Sequence, residues 1–229
     1  MNRFLGVLGL FLCVSALRGA EVDDLIKQLQ SNDNEERRFA AKALGEGGTE
    51  SKAAVPALMK ALKDRDTFVR RFSAQALGEI GPDARPSVFA LAAALDDPRK
   101  EVQTAAAHAL AKLGPSGVET LIDVIREDGN DTMLRFLAID ILSELGPAGH
   151  SAVPALTQLL KPKTGKNGKQ KASPIDLRVP AAIALGSLAK ASDTETVAAL
   201  EAFTAKKAKA PGDLKRAANQ ALQKIRRKK

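Results

Sequence analysis

The stretch RRFSAQALGEIG, residues Arg70–Gly81, recurs along the chain with a nearly constant spacing. RRFAAKALGEGG ends at Gly48, which is 33 residues earlier (81 − 48 = 33), and QTAAAHALAKLG ends 33 residues later, at Gly114. Three further copies, RFLAIDILSELG, RVPAAIALGSLA and KRAANQALQKIR, end at Gly146, Ala189 and Arg226. A period of this length is typical of a protein built from stacked structural repeats.

A second apolar pattern precedes each copy. Val55, Leu58 and Leu62 stand before Arg70–Gly81, and their spacing of three and four residues predicts one face of a helix. The same pattern recurs in the other units, for example as Val22/Leu25/Leu29, Val88/Leu91/Leu95 and Val153/Leu156/Leu160. Each unit is therefore predicted to hold two helices, A and then B. Helix B is predicted to end at a glycine with left-handed backbone, which is Gly48, Gly81, Gly114 or Gly146 in the first four units.

These units divide residues 21–229 into about six repeats, at 21–51, 52–84, 85–117, 118–150, 151–192 and 193–229. The segment AVPALMKALKDRDTFVRRFSAQALGEIG, residues 54–81, resembles a HEAT repeat of the short type found in phycobilin-lyase-like proteins. The resemblance implies an all-α fold, a right-handed α-solenoid with A helices on the convex side and B helices on the concave side. Proteins with this repeat serve as scaffolds and adaptors, and a few are enzymes.

Residues 1–20 have the features of a secretory signal peptide. Arg3 supplies a positive charge, the apolar run Phe4–Leu17 is too short for a comfortable membrane span, and small residues place the cleavage near residues 16–20. The sequence therefore predicts an exported protein, periplasmic or secreted, with no transmembrane span in the mature chain. An uncleaved segment that tethers the protein to a membrane is the alternative. Cys13, the only cysteine, lies in this segment, so cleavage leaves no disulfide and no cysteine-bound zinc.

The first arginine of the pair in Arg70–Gly81 recurs in almost every unit. The series is Arg37, Arg70, Arg135, Arg178 and, conservatively, Lys215, with Gln103 as the exception. The resemblance implies that such a residue bonds to acidic or carbonyl groups in neighbouring turns. Asp33, Asp66 and Asp131 stand four residues before three of the arginines. A structural ladder is therefore favoured over an anion-binding site.

The sequence predicts no catalytic, cofactor-binding or metal-binding residue. His108 and His150 are the only histidines. The hydroxylases of this repeat family carry His-Glu pairs for iron, whereas Ala109 and Ser151 follow the two histidines. We therefore expect no enzyme activity, no cofactor and no small-molecule substrate. A lyase-like or enzyme-accessory role stays open as an alternative, from family kinship alone.

The exposed stripe of helix B changes character along the repeats. Copies one and two place Arg38 and Arg71 there, with Lys42 and Gln75, whereas copies four and five place Phe136, Val179 and Ile183. Exposed apolar groups on neighbouring repeats can form a binding patch. The sequence thus predicts a polar-to-apolar gradient with an apolar anchor for a protein partner. The alternative is that the long loop of copy five folds over these three residues.

Positive charge is concentrated at the C-terminal end. Residues 161–229 contain 17 Lys and Arg and 5 Asp and Glu, a net charge of +12 (17 − 5), so residues 1–160 carry −4 (8 − 12). The insertion at 161–174 includes Lys166 and Lys169, and the tail includes Arg226 and Arg227. We expect these four residues to form an electrostatic rim for the protein partner. The alternative is a site for nucleic acid or another polyanion, although the chain has no Trp or Tyr for base stacking.

Overall fold

The computed structural model describes residues 19–127, 129, 131–161, 176–205 and 208–228. In these residues twelve α-helices form six consecutive A/B pairs, and no strand occurs. The A helices are α1 Gly19–Gln28, α3 Val55–Ala61, α5 Val88–Ala94, α7 Pro115–Arg126, α9 Val153–Leu160 and α11 Thr194–Thr204. The B helices are α2 Asn34–Glu46, α4 Thr67–Ile80, α6 Lys100–Lys112, α8 Thr132–Glu144, α10 Arg178–Leu188 and α12 Gly212–Arg227. The predicted fold class, an all-α solenoid of two-helix repeats, is confirmed.

The predicted helix stops are also confirmed. Gly48, Gly81, Gly114 and Gly146 have φ of 52°, 72°, 86° and 54°, a conformation that costs little without a Cβ. Three of these glycines are the first residues of short 3-10 helices, Gly48–Ala54, Gly81–Ser87 and Gly146–Ala152. These segments lead directly into the next A helix and were not predicted from the sequence.

Acidic residues in the turns between A and B begin several B helices. The side chains of Asp33, Asp66 and Asp131 accept hydrogen bonds from the backbone N–H groups of Glu35, Phe68 and Met133 at 2.9, 2.9 and 3.1 Å. These bonds satisfy amides that have no partner within the helix. Each of these three aspartates therefore sets the start of a B helix.

Small residues bring successive B helices into close contact. A Cβ added to Gly78 would lie 2.9 Å from the Cα of Ala109, and one added to Gly186 would lie 2.8 Å from the Cα of Ala221. The A helices of successive repeats touch one another less. Because the B layer is the more tightly spaced of the two, the stack curves with the B helices on its inner, concave side.

The core lies between the two layers and is aliphatic. A column of small residues, one from each B helix, is buried throughout, at Ala40, Ser73, Ala106, Ala138, Ala181 and Ala218. Large side chains from both layers, such as Leu58, Leu77, Leu91 and Leu110, are fully buried beside it. Each pair of helices thus completes its core with its neighbours, as expected for a solenoid.

Two predicted features lie outside the described residues. They are residues 1–18 of the predicted signal peptide and the insertion after Lys161, which includes Lys166 and Lys169. Within the described part of the chain, each helix is too short or too polar to cross a bilayer.

Candidate functional site

The arginine ladder is present, but its acceptors differ from the predicted ones. Arg37 donates from Nε and Nη2 to the carboxylate of Asp64 at 2.8 and 3.0 Å, and from Nη1 to the carbonyl of Ser31 at 2.9 Å. Asp64 lies in the next repeat, 27 residues away, whereas Asp33 of the same repeat serves as a helix cap. The prediction of Asp33 as the partner is wrong because its carboxylate faces the start of α2.

The second rung repeats this geometry. Arg70 donates to Asp97 of the following repeat at 2.7 and 3.1 Å, and to the carbonyl of Asp64 at 2.8 Å. In later rungs, Arg135 donates to the carbonyl of Ile125, and Arg178 donates to Asp176, both of which belong to the same repeat as the arginine. The first arginine of each pair therefore has a structural role.

The second arginine of the pair behaves differently in copies one and two. Arg38 is held by Asp66 of the next repeat, with Nε–Oδ1 and Nη2–Oδ2 distances of 2.9 and 2.5 Å, and by Glu35 at 2.6 Å. The bond from Arg38, with help from the backbone N–H groups of Val69 and Phe68, lowers the pKa of Asp66 to about 2. Arg38 thus already has its counter-ions.

Arg71 has no such counter-ion among the described residues. The position equivalent to Asp66 in the next repeat holds Arg99 (99 − 66 = 33), which also leaves α6 without a side-chain cap. The Nε of Arg71 is buried and has no hydrogen-bond partner within the described residues. The guanidinium carbon instead lies 4.7 Å from the ring centre of Phe72 and 5.2 Å from that of Phe68.

Phenylalanines complete this part of the surface. Phe68 also faces Arg38, whose guanidinium carbon lies 4.7 Å from the ring centre, and the rings of Phe68 and Phe72 are 6.4 Å apart. Phe39 of copy one is 57% exposed and Phe68 is 46% exposed. We call Arg38, Phe39, Phe68, Arg71 and Phe72 the aromatic–arginine cluster. A cleft of about 280 Å³ opens between α2 and α4, lined by Glu35, Arg38, Phe39, Lys42, Phe68 and Phe72.

The aromatic side chains of this cluster were missed in the sequence analysis. Their signal was present, because Phe39 and Phe72 occupy equivalent positions in the first two copies. The predicted polar-to-apolar gradient from copy one to copy five is wrong, because Phe39 and Phe68 expose apolar surface in the first two copies. Exposed apolar side chains occur at both ends of the B-helix surface.

The predicted apolar anchor in copies four and five is partly exposed. Phe136 and Ile183 are exposed, Val179 is half-buried against the core, and Met133 is exposed one turn before Phe136. Helices α8 and α10, which carry these side chains, pack against each other. The residues are thus placed on adjacent helices of the concave surface, and the insertion that could cover them lies outside the described residues.

The basic tail has structural partners. Arg226 donates to Glu201 at 3.1 Å, and the Nζ of Lys228 donates to the carbonyls of Ser187 and Ala189 at the end of α10. Arg227 is exposed. Basic residues in the last turn of α12 also interact favourably with the negative end of the helix dipole.

The two histidines are separated. His108 is exposed on α6, in a cleft between α4 and α6 that Glu101 and Lys112 also line. The Nε2 of His150 lies 3.1 Å from the Oδ2 of Asp193, an interaction that joins the end of the fourth repeat to the start of the sixth. No group of three or more His, Cys, Asp or Glu residues in the described ranges could hold a metal ion.

Comparison with known proteins agrees with this architecture. A family model described as HEAT repeats matches residues 22–91 and 87–173. No curated protein matches the chain.

Solved structures of similar fold include both designed and natural proteins. An engineered protein is 23% identical over 90% of this chain and 97% of its own, with a TM-score of 0.50. A designed armadillo repeat protein in complex with peptide (KR)4 is 17% identical over 90% of this chain and 99% of its own, with a TM-score of 0.53. The HEAT-like repeats protein from the archaeon Thermococcus onnurineus NA1 is 13% identical over 91% and 88%, with a TM-score of 0.52. At these identities the likeness concerns the fold.

Proposed function

The chain belongs to the HEAT-repeat family, and from that premise we propose that it is an exported, non-catalytic scaffold whose concave B-helix surface binds a protein partner. One observation carries the proposal. Six large apolar side chains of the described residues are exposed, and five of them lie on B helices: Phe39, Phe68, Met133, Phe136 and Ile183. Scattered exposed apolar residues need no explanation, but a concentration on one surface favours an interface.

Phe89 is the sixth exposed apolar side chain and provides a matched control. It lies on the A helix α5 and is 88% exposed, more than Phe136 on α8. If exposure alone caused association, Phe89 would contact other proteins more often than Phe136. If the concave surface is the interface, Phe136 should be in contact with the partner and Phe89 should not.

The test is site-specific photo-crosslinking in cells that make the protein. Benzoylphenylalanine replaces Phe136 in one variant and Phe89 in another. We expect a discrete crosslinked species at position 136 that is lost when Ile183→Asp is added, and none at position 89. Equal crosslinking at the two positions, or none at position 136, would contradict the proposal.

Export is a separate part of the proposal and has its own test. The N-terminus of the protein purified from its natural source should lie between residues 17 and 21, and the protein should fractionate with exported proteins. An intact N-terminus in a membrane fraction would indicate the tethered alternative. A full-length protein in the cytosol would contradict export.

Polyanion binding is the second candidate function. It is favoured by the exposed basic residues of α12, which include Arg216, Lys224 and Arg227, and by the net charge of +12 from residue 161 onward (17 − 5). Such binding weakens steeply as salt increases. Affinity for a single-stranded oligonucleotide that falls with salt and is reduced in Arg227→Gln would support this candidate, and absence of binding at low salt would remove it.

A further inference from the structure

We propose that the aromatic–arginine cluster binds an extended segment of the partner that presents a carboxylate next to an apolar side chain. The inference rests on the proposed protein-binding function and adds the chemistry of the partner. It also places a contact in copies one and two, apart from Phe136 and Ile183 in copies four and five.

The carboxylate preference follows from the unmatched charge of Arg71. In copy one, Arg38 is neutralised by Asp66 and Glu35. The equivalent acceptor for Arg71 is replaced by Arg99, so two arginines stand where copy one has an ion pair. A negatively charged group from outside would supply the missing acceptor.

Arg71 is also held in place before any partner binds. Its guanidinium lies over the rings of Phe72 and Phe68, at 4.7 and 5.2 Å from their centres, and stacking of this kind restricts a side chain that is otherwise flexible. A planar guanidinium can bind a carboxylate through two parallel hydrogen bonds. Since Nε is buried, the carboxylate would approach through the two Nη groups.

The apolar preference follows from the cleft beside Arg71. Phe39 and Phe68 are exposed there, and Phe72 forms part of the wall. The cleft of about 280 Å³ is slightly smaller than the pockets that usually hold small molecules, which begin at roughly 300 Å³. It therefore suits one apolar side chain of a peptide. Arg71 disfavours a basic segment at the same place, because Arg38 and Lys42 are paired with acidic side chains and leave Arg71 as the cation without a counter-ion among the described residues.

The experiment is a selection of random twelve-residue peptides displayed on phage against the full chain. We expect enrichment of peptides with Asp or Glu within two residues of Leu, Ile, Met or Phe. A synthetic peptide of the enriched sequence should bind at least tenfold more weakly to Arg71→Gln. Arg85→Gln, which removes an exposed arginine from the 3-10 helix before α5, should leave binding unchanged.

A second measurement keeps the inference testable if Arg71→Gln folds poorly. The enriched peptide with Gln in place of each acidic residue should bind the unaltered protein at least tenfold more weakly. No enrichment, enriched peptides without acidic residues, or equal binding of the Gln peptide would overturn the inference. Self-association that is lost in Arg71→Gln would also overturn it, because the occupant would then be a second copy of the chain.

The variants separate this inference from the proposed function. Peptides whose binding depends on Phe136 but not on Arg71 would overturn the inference and leave the concave interface in place. Peptides that depend on neither residue, together with a negative crosslinking result, would contradict both.

Discussion

Arg37 and Asp64 form a two-bond ion pair between repeats, with Nε–Oδ2 and Nη2–Oδ1 distances of 2.8 and 3.0 Å. Both side chains are largely buried, at 5% and 14% exposed. The pair joins the start of helix α2 to the turn before helix α4. Arg37 also satisfies two backbone carbonyls of its own turn, those of Ser31 and Asn32. This arrangement makes the arginine a connector between repeats.

Removing the charge of Arg37 should destabilise the first repeats. In Arg37→Met the carboxylate of Asp64 stays buried without its counter-ion, which typically costs about 3 kcal/mol. Lys112→Met is the matched control, because the Lys112–Glu79 pair also joins two repeats but is half exposed and should contribute less than about 1 kcal/mol. Urea denaturation followed by circular dichroism measures both. Equal losses in the two variants would contradict a special role for Arg37.

Asp66 should make stability depend on pH in acid. Its pKa in the folded protein is about 2, below the ordinary value of 3.8, because Arg38 and two backbone N–H groups stabilise the charged form. The stabilisation is therefore complete above about pH 4 and is lost as the pH falls towards 2, for a total of about 2 kcal/mol.

Asp66→Asn isolates this contribution, since asparagine retains the helix cap but carries no charge. Between pH 4 and pH 2 the free energy of unfolding should fall less in the variant than in the unaltered protein. Parallel pH profiles would show that the carboxylate of Asp66 does not carry the effect.

Gly78→Ala should destabilise the solenoid although alanine is the better helix former. The new Cβ would lie 2.9 Å from the Cα of Ala109 and 3.1 Å from its Cβ, so α4 and α6 would have to separate. Overpacking of this kind costs about 1–3 kcal/mol, which outweighs a gain in helix propensity of about 1 kcal/mol.

Gly212→Ala is the control for this substitution. Gly212 is the first residue of α12, and a Cβ there meets no atom within 4 Å. The melting temperature of the Gly212→Ala variant should equal that of the unaltered protein or be slightly higher. A stabilising effect of Gly78→Ala would show that the contact between the B helices can relax without cost.

The candidate site was only partly accessible from the sequence. Phe136 and Ile183 could be assigned to the exposed surface because they break a repeated polar position. Phe68 could not, because its exposure depends on how Arg38 and Arg71 flank it across two repeats. The same holds for the lack of a counter-ion at Arg71 within the described ranges, since Arg38 and Arg71 are equivalent in the repeat and differ only in the residues that face them.

The sequence by itself determined the period, the two-helix unit and the ends of the B helices. Apolar spacing and glycine backbone freedom are local properties. The end of the helix at Gly81, where φ is 72°, could therefore be predicted from the residues around it. Only the tertiary structure decided that Arg37 pairs with Asp64 and not with Asp33, and that Arg71 lacks an acceptor among the described residues. The physical reason is that these contacts depend on the offset between adjacent repeats. That offset is set by close packing between B helices, for example where Gly78 contacts Ala109.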